Sequence, residues 1–150
     1  MEHVEQILAR ARARAIEMNL PYSGALLPTE AHAFQQQLPG AALVDVRTRA
    51  EWDWVGRVPQ SVEIEWVSYP GNRPNSDFVQ QLLAKLPIET PLMFICRSGA
   101  RSHAAAIAAQ AAGYATCFNV LQGFEGDKDG QSHRSTVGGW RAAGLPWTQS

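Results

Sequence analysis

Thiols are the scarcest chemistry in this sequence: among 150 residues only Cys96 and Cys117 carry one, 21 positions apart. That separation makes neither a disulfide framework nor a paired zinc motif, so a reducing compartment is expected. A surplus of one charge is missing too. The chain has 13 basic and 14 acidic residues, a formal net charge of -1, and so no global attraction for nucleic acid or an anionic membrane. No window reaches the roughly eighteen uninterrupted apolar residues of a transmembrane helix. The opening M-E-H-V-E-Q-I-L-A-R lacks the apolar core and cleavage site of a secretory signal. Cytoplasmic residence is the expectation. His3, His32, His103 and His133 are scattered without ligand spacing, and neither a Gly-rich phosphate loop with its Lys nor a dinucleotide fingerprint occurs. No metal or cofactor is expected.

What remains is an ordinary globular composition, 45% apolar with 5 Trp, enough for the core of one domain. Val4, Ile7, Leu8, Ala11, Ala15 and Met18 recur at helical spacing with charges on the other faces, giving an amphipathic N-terminal helix within residues 1–22. Its thin apolar stripe and acidic residues suit packing onto the following domain, residues 23–150, better than a membrane surface. A helix is expected from Pro28-Thr29-Glu30 to Leu38, stopped by Pro39-Gly40. A short buried strand follows over 41–46, then a helical turn in T-R-A-E-W-D-W, a strand-like V-E-I-E-W and a loop Y-P-G-N-R-P-N. Residues 77–86 form a second amphipathic helix, P-L-M-F-I the strongest buried strand, S-H-A-A-A-I-A-A-Q-A-A a helix ending at Gly113, and T-C-F-N-V-L a last strand. The polar E-G-D-K-D-G-Q-S-H-R-S beyond it is the expected mobile loop. Strands alternating with helices imply an α/β domain around a mostly parallel sheet flanked by helices on both faces.

The chemistry concentrates in C-R-S-G-A-R-S, residues 96 to 102, directly after P-L-M-F-I. A cysteine reacts as its thiolate, and three features here favour that anion. A helix starting near Gly99 or Ala100 turns unpaired N–H groups and its positive end toward the loop. Gly99 allows the amides of residues 97 to 102 to curl into an anion-binding nest, to which Ser98 and Ser102 add hydroxyl donors. Arg97 and Arg101 bring permanent charge, and between Glu89 and Glu125 the sequence has no acidic residue, so a positive local field is expected. Cys96 is therefore the candidate nucleophile, with Arg97, Ser98, Gly99, Ala100, Arg101 and Ser102 as its anion-binding surroundings. Cys117, inside a strand pattern, is expected to be core.

This loop resembles that of the rhodanese family of sulfurtransferases. L-V-D-V-R-T-R-A-E-W-D-W-V-G-R-V-P-Q-S-V-E-I is similar to the family's upstream signature, with Arg57, Val58, Pro59, Gln60 and Ser61 at its turn. G-W-R-A-A-G-L-P-W resembles the closing helix, so the likeness covers about residues 24–148. It implies a rhodanese-like fold and a ping-pong transfer. Cys96 takes sulfur from a small anionic donor and hands the persulfide sulfur to a thiol, cyanide or protein acceptor. It also implies thiosulfate as donor, because the doubly basic loop goes with thiosulfate in that family, and a charged network of Asp45, Arg47 and Glu51 supporting the loop.

Other readings stay open at this stage. Read without the resemblance, Asp45, Arg47 and Glu51 suit a surface salt bridge with no bearing on the loop equally well. His103 invites a Cys/His pairing that a low-lying thiolate does not need. His133 and Arg134 would choose the acceptor only if their loop folds over the site. D-K-D-G-Q-S-H-R-S lacks the ligand pattern of a calcium hand. Cysteine-dependent phosphatases and arsenate reductases also hold a thiolate in an anion loop, but the tyrosine-phosphatase pattern Cys-x5-Arg fails here, since Arg101 comes one residue early and position 102 is Ser. A non-catalytic binding module, or a persulfide carrier serving a partner protein, is the remaining alternative.

Overall fold

Four consecutive apolar residues, Leu92-Met93-Phe94-Ile95, bury both of their faces only inside a sheet covered on both sides. The computed structural model, which describes residues 3–149, puts them there. The main sheet is built from β1 (Gly24–Leu26), β2 (Ala42–Asp45), β3 (Val62–Glu63), β6 (Leu92–Ile95) and β7 (Cys117–Val120). Its order is β1-β7-β6-β2-β3, with β6 in the centre, and every pairing is parallel. Ala42 faces Leu92 and Asp45 faces Ile95, so β2 and β6 end level with each other.

Alternation along the strands divides the core in two. Val44, Leu92, Phe94 and Cys117 point to one face, covered by α4 (Phe78–Lys85) and α5 (Ala100–Ala111) through Phe78, Leu82, Ala105, Ala106 and Ala109. Leu43, Met93, Ile95, Phe118 and Val120 point to the other, covered by α1 (Val4–Glu17) and α2 (Pro28–Gln37) through Ile7, Ala11, Ala31 and Phe34. Alanines on the inner stripe of α5 let that helix lie close to β6 and β7. The amphipathic N-terminal helix packs on the domain, as its stripe implied, and is fastened there by charge. Glu30, almost fully buried at the start of α2, accepts from Arg10 Nε at 2.9 Å, from Arg14 at 2.6 and 3.2 Å, and from the Leu27 amide at 2.8 Å.

Several expectations are corrected. V-E-I-E-W is strand only over Val62–Glu63, although the amides of Ile64 and Trp66 continue along the β2 edge, donating to Asp45 O at 3.0 Å and Val46 O at 3.1 Å. Y-P-G-N-R-P-N, read as loop throughout, is loop only over its first four residues, Tyr69 to Asn72, which turn the chain between two short antiparallel strands, β4 (Val67–Ser68) and β5 (Arg73–Pro74); Pro70-Gly71 supplies the turn chemistry. G-W-R-A-A-G-L-P-W forms turns rather than a helix; Gly139, Gly144 and Pro146 are too dense to sustain one. Its Trp140 is nevertheless core, with Nε1 donating to Pro146 O at 2.7 Å. The polar segment read as a loop is one, without helix or strand; within it the Asp129 carboxylate accepts from the amides of Gln131 and His133, both at 2.9 Å, and from Thr136 Oγ1 at 2.7 Å.

Candidate active site

Cys96 is the first residue beyond β6, at the carboxyl end of the central strand, where ligands gather in open parallel sheets. Three residues later Gly99 caps α5 at a φ of 120°, a conformation that costs a glycine little. The turn brings the Gly99 amide back to Cys96, where it donates to Sγ at 3.1 Å, and places Ser102 Oγ 3.2 Å from the same sulfur. Of the amides of residues 97 to 102, it is Gly99's that bonds the sulfur. The thiol is 1% exposed, so a reactant reaches it only along a defined approach.

The loop's carbonyls are tied outward. Cys96 O accepts from the Phe124 amide at 2.8 Å, and Arg97 O accepts from Glu125 and Gly126 at 3.0 and 3.2 Å. The close approach depends on Gly123, at a φ of 64°, where an added Cβ would stand 2.5 Å from Cys96 O. The segment after β7 therefore buttresses the cysteine loop.

The expected positive field of two free arginines is half cancelled. Arg101 donates through both terminal nitrogens to Glu51, at 2.7 and 3.0 Å. Glu51 is delivered by α3 (Arg49–Trp54), where it completes a capping box with Thr48 at 3.1 and 3.2 Å. Burial pushes the Glu51 carboxyl up, but the hydrogen bonds and charge of Arg101, with the Thr48 bonds, outweigh it and hold the group below its ordinary value. Burial likewise pulls Arg101 down, while Glu51, then Cys96 and Asp45, raise it further. Among the described residues, exposed Arg97 makes no ion pair, and it is the cation left at the mouth.

Asp45 and Arg47 belong to the foundation rather than the cleft. Both are fully buried, joined at 3.0 and 2.8 Å, with Arg47 also donating to Gly56 O at 2.8 Å and lying 4.1 Å over the Phe124 ring. They tie the end of β2 to α3 and to the Gly123 segment. Of the three supporting residues, only Glu51 lines the cleft.

That cleft measures about 910 Å³ and is lined by Cys96, Arg97, Ser98, Ala100 and Arg101 of the loop and by Glu51 of α3. Its rim is aromatic. Trp54 from α3 is 80% exposed and Tyr69 from the β4–β5 turn is 70% exposed, and Trp66 also lines the cleft.

His103 bonds Tyr22 through Nδ1 at 2.6 Å, not Cys96. Burial raises the Tyr22 hydroxyl, and Asn119 beside it partly offsets this. His133 and Arg134 do not line the cleft; Arg134 donates to Gly126 O at 2.7 Å. Cys117 is buried and its thiol is pushed up to about 12, which leaves it inert. The residue that sequence reasoning missed is Asn119 on β7. Its Oδ1 lies 2.6 Å from Ser102 Oγ and its Nδ2 donates to Gly99 O at 3.2 Å. The available signal was an amide in the apolar strand C-F-N-V, which must find partners when buried.

Comparison with known proteins agrees with this architecture. The rhodanese-like domain model matches residues 28–129. An uncharacterised protein of Rickettsia prowazekii is 37% identical over 109 residues, which span 71% of this chain and 82% of that one. The thiosulfate sulfurtransferase GlpE of Pseudomonas savastanoi is 33% identical over 98 residues, 65% of this chain and 80% of that one. The crystal structure of Rv0390 from M. tuberculosis superposes with a TM-score of 0.78 at 41% identity, covering 86% of this chain and 99% of that one. By its matched domain, its relatives and its fold, the chain belongs to the rhodanese-like domain family.

Proposed function

We propose that the protein is a sulfurtransferase that carries sulfane sulfur on Cys96 and takes it from thiosulfate. The observation that carries this reading is the sulfur itself, buried at the N-terminus of α5, bonded by the Gly99 amide and facing a cleft whose unpaired cation is Arg97. In the first half-reaction the Cys96 thiolate attacks the outer sulfur of thiosulfate. A Sγ–S bond forms, the donor's S–S bond breaks, and sulfite departs with the electron pair. Arg97 binds the donor's sulfonate, and the helix end holds the negative charge that now sits on the outer sulfur. In the second, a nucleophilic acceptor takes the outer sulfur and Cys96 leaves as thiolate.

Arg101 has a different part from the one its sequence position suggests. Held by Glu51, it shapes the wall and supplies a fixed field, while donor binding falls to Arg97. The similarity to a thiosulfate sulfurtransferase supports the choice of donor. Steady-state assay with thiosulfate and cyanide tests the proposal: thiocyanate forms with parallel double-reciprocal lines. Hydrolysis of an aryl phosphate without thiocyanate production would contradict it.

A further inference from the structure

At Ser102 one hydrogen faces three acceptors. The hydroxyl is fully buried on the first turn of α5, with Asn119 Oδ1 at 2.6 Å, Gly99 O at 3.1 Å and Cys96 Sγ at 3.2 Å. A serine has a single O–H, so one of them is served at a time. Asn119 cannot turn its amide over to help. Its Nδ2 donates to Gly99 O at 3.2 Å, and the reverse orientation would set two carbonyl oxygens against each other. The shortest contact takes the hydrogen. Neutral Cys96 can then donate its S–H to Ser102 Oγ, but ionised Cys96 receives nothing from that side and keeps only the Gly99 amide.

We infer that Asn119 is a positioning residue: by drawing the Ser102 hydrogen away from Cys96 Sγ, it sets the balance between the two halves of sulfur transfer. The inference rests on the sulfurtransferase reading above. When Cys96 attacks thiosulfate, a hydrogen bond on Sγ would lower its nucleophilicity. When the acceptor attacks the outer sulfur and Sγ departs with the electron pair, the same bond would stabilise the leaving thiolate. Both effects follow the general dependence of thiol exchange on the attacking and leaving groups. Asn119 therefore favours capture of sulfur over its release.

Single-turnover rates of the two halves test this directly. Asn119→Val and Asn119→Ala should both release the Ser102 hydrogen, and of the two acceptors left, Gly99 O at 3.1 Å and Cys96 Sγ at 3.2 Å, the anionic sulfur, in tighter contact for its larger radius, takes it. Donor attack then slows about threefold and transfer from the persulfide to cyanide accelerates about threefold, the share of a charged hydrogen bond that such reactions express. In a Ser102→Ala background, where no hydroxyl hydrogen exists, adding Asn119→Val should produce no opposed shift. A packing defect would slow both halves together, and that result, or an opposed shift persisting without the hydroxyl, overturns the inference. Intact mass of the wild-type protein after thiosulfate separates the two failures. If no sulfur is gained, the sulfurtransferase reading falls; if sulfur is gained but the halves move together, only the role of Asn119 falls.

Discussion

Glu51 and Arg101, fifty positions apart in the chain, meet through two hydrogen bonds of 2.7 and 3.0 Å at the wall of the cysteine cleft. This pair separates the two arginines of the loop into different jobs. Arg97→Ala should leave the melting temperature within the ordinary scatter of a surface change while raising the KM for thiosulfate roughly tenfold, the worth of one charge-assisted contact. Arg101→Ala strands a half-buried carboxylate at Glu51. It should cost about 1–3 kcal/mol, read as a lowered melting temperature. Equal behaviour of the two variants would refute the division.

The same pair gives the stability a pH signature. Glu51 titrates below its ordinary value of 4.5 in the folded protein, so the unfolded chain binds that proton more readily. The stabilisation is therefore complete above about pH 4.5 and lost as the pH falls through the depressed folded value. The gap in melting temperature between wild type and Glu51→Gln should be flat from about pH 7 to 5 and narrow below about 4.5. A gap that widens on acidification would reverse the assignment. Glu30, also depressed, is present in both proteins and cancels.

The aromatic rim should matter to acceptors that are larger than cyanide. Trp54→Ala and Tyr69→Ala remove exposed side chains, so folding should be unaffected. Donor kinetics with thiosulfate should hold steady, while kcat/KM for a bulky aromatic thiol acceptor falls about threefold or more, the value of one lost aromatic contact. A uniform loss with cyanide and with the bulky thiol would place these residues in the chemistry instead.

The N-terminal helix packs through Ile7 and Ala11 and is fastened by the Glu30 carboxylate. Glu30→Ala leaves Arg10 and Arg14 without that anion and the Leu27 amide without its acceptor. A cost of about 1–3 kcal/mol is expected, chiefly from the Leu27 amide and the part-exposed arginines losing their acceptor. Hydrogen exchange should then accelerate in α1 well before it does in β6. Uniform acceleration would show that α1 is not held separately.

The parts legible in the sequence are those fixed by local rules. A run of four apolar residues made β6 readable, alanine propensity made α5 readable, and the coincidence of Cys96 with Gly99 and a helix start marked the site. What escaped depends on distance or on single side chains. β1 is three residues long and exists because β7 offers an edge, which no periodicity announces. The absence of acids near the loop in sequence implied an open positive field, yet Glu51 enters it from another helix. Glycine and proline density could have warned that residues 139–146 would turn rather than coil into a helix. Asn119 left one faint sign, a polar residue in a buried strand, and only the fold brings it within 2.6 Å of the Ser102 hydroxyl that also faces the sulfur.

The most direct measurement is the intact mass of the protein after brief exposure to thiosulfate. The account predicts the gain of one sulfur atom, released as thiocyanate by cyanide, retained in Cys117→Ser and abolished in Cys96→Ser. An unchanged mass in folded wild-type protein, or sulfur still acquired by Cys96→Ser, would contradict it.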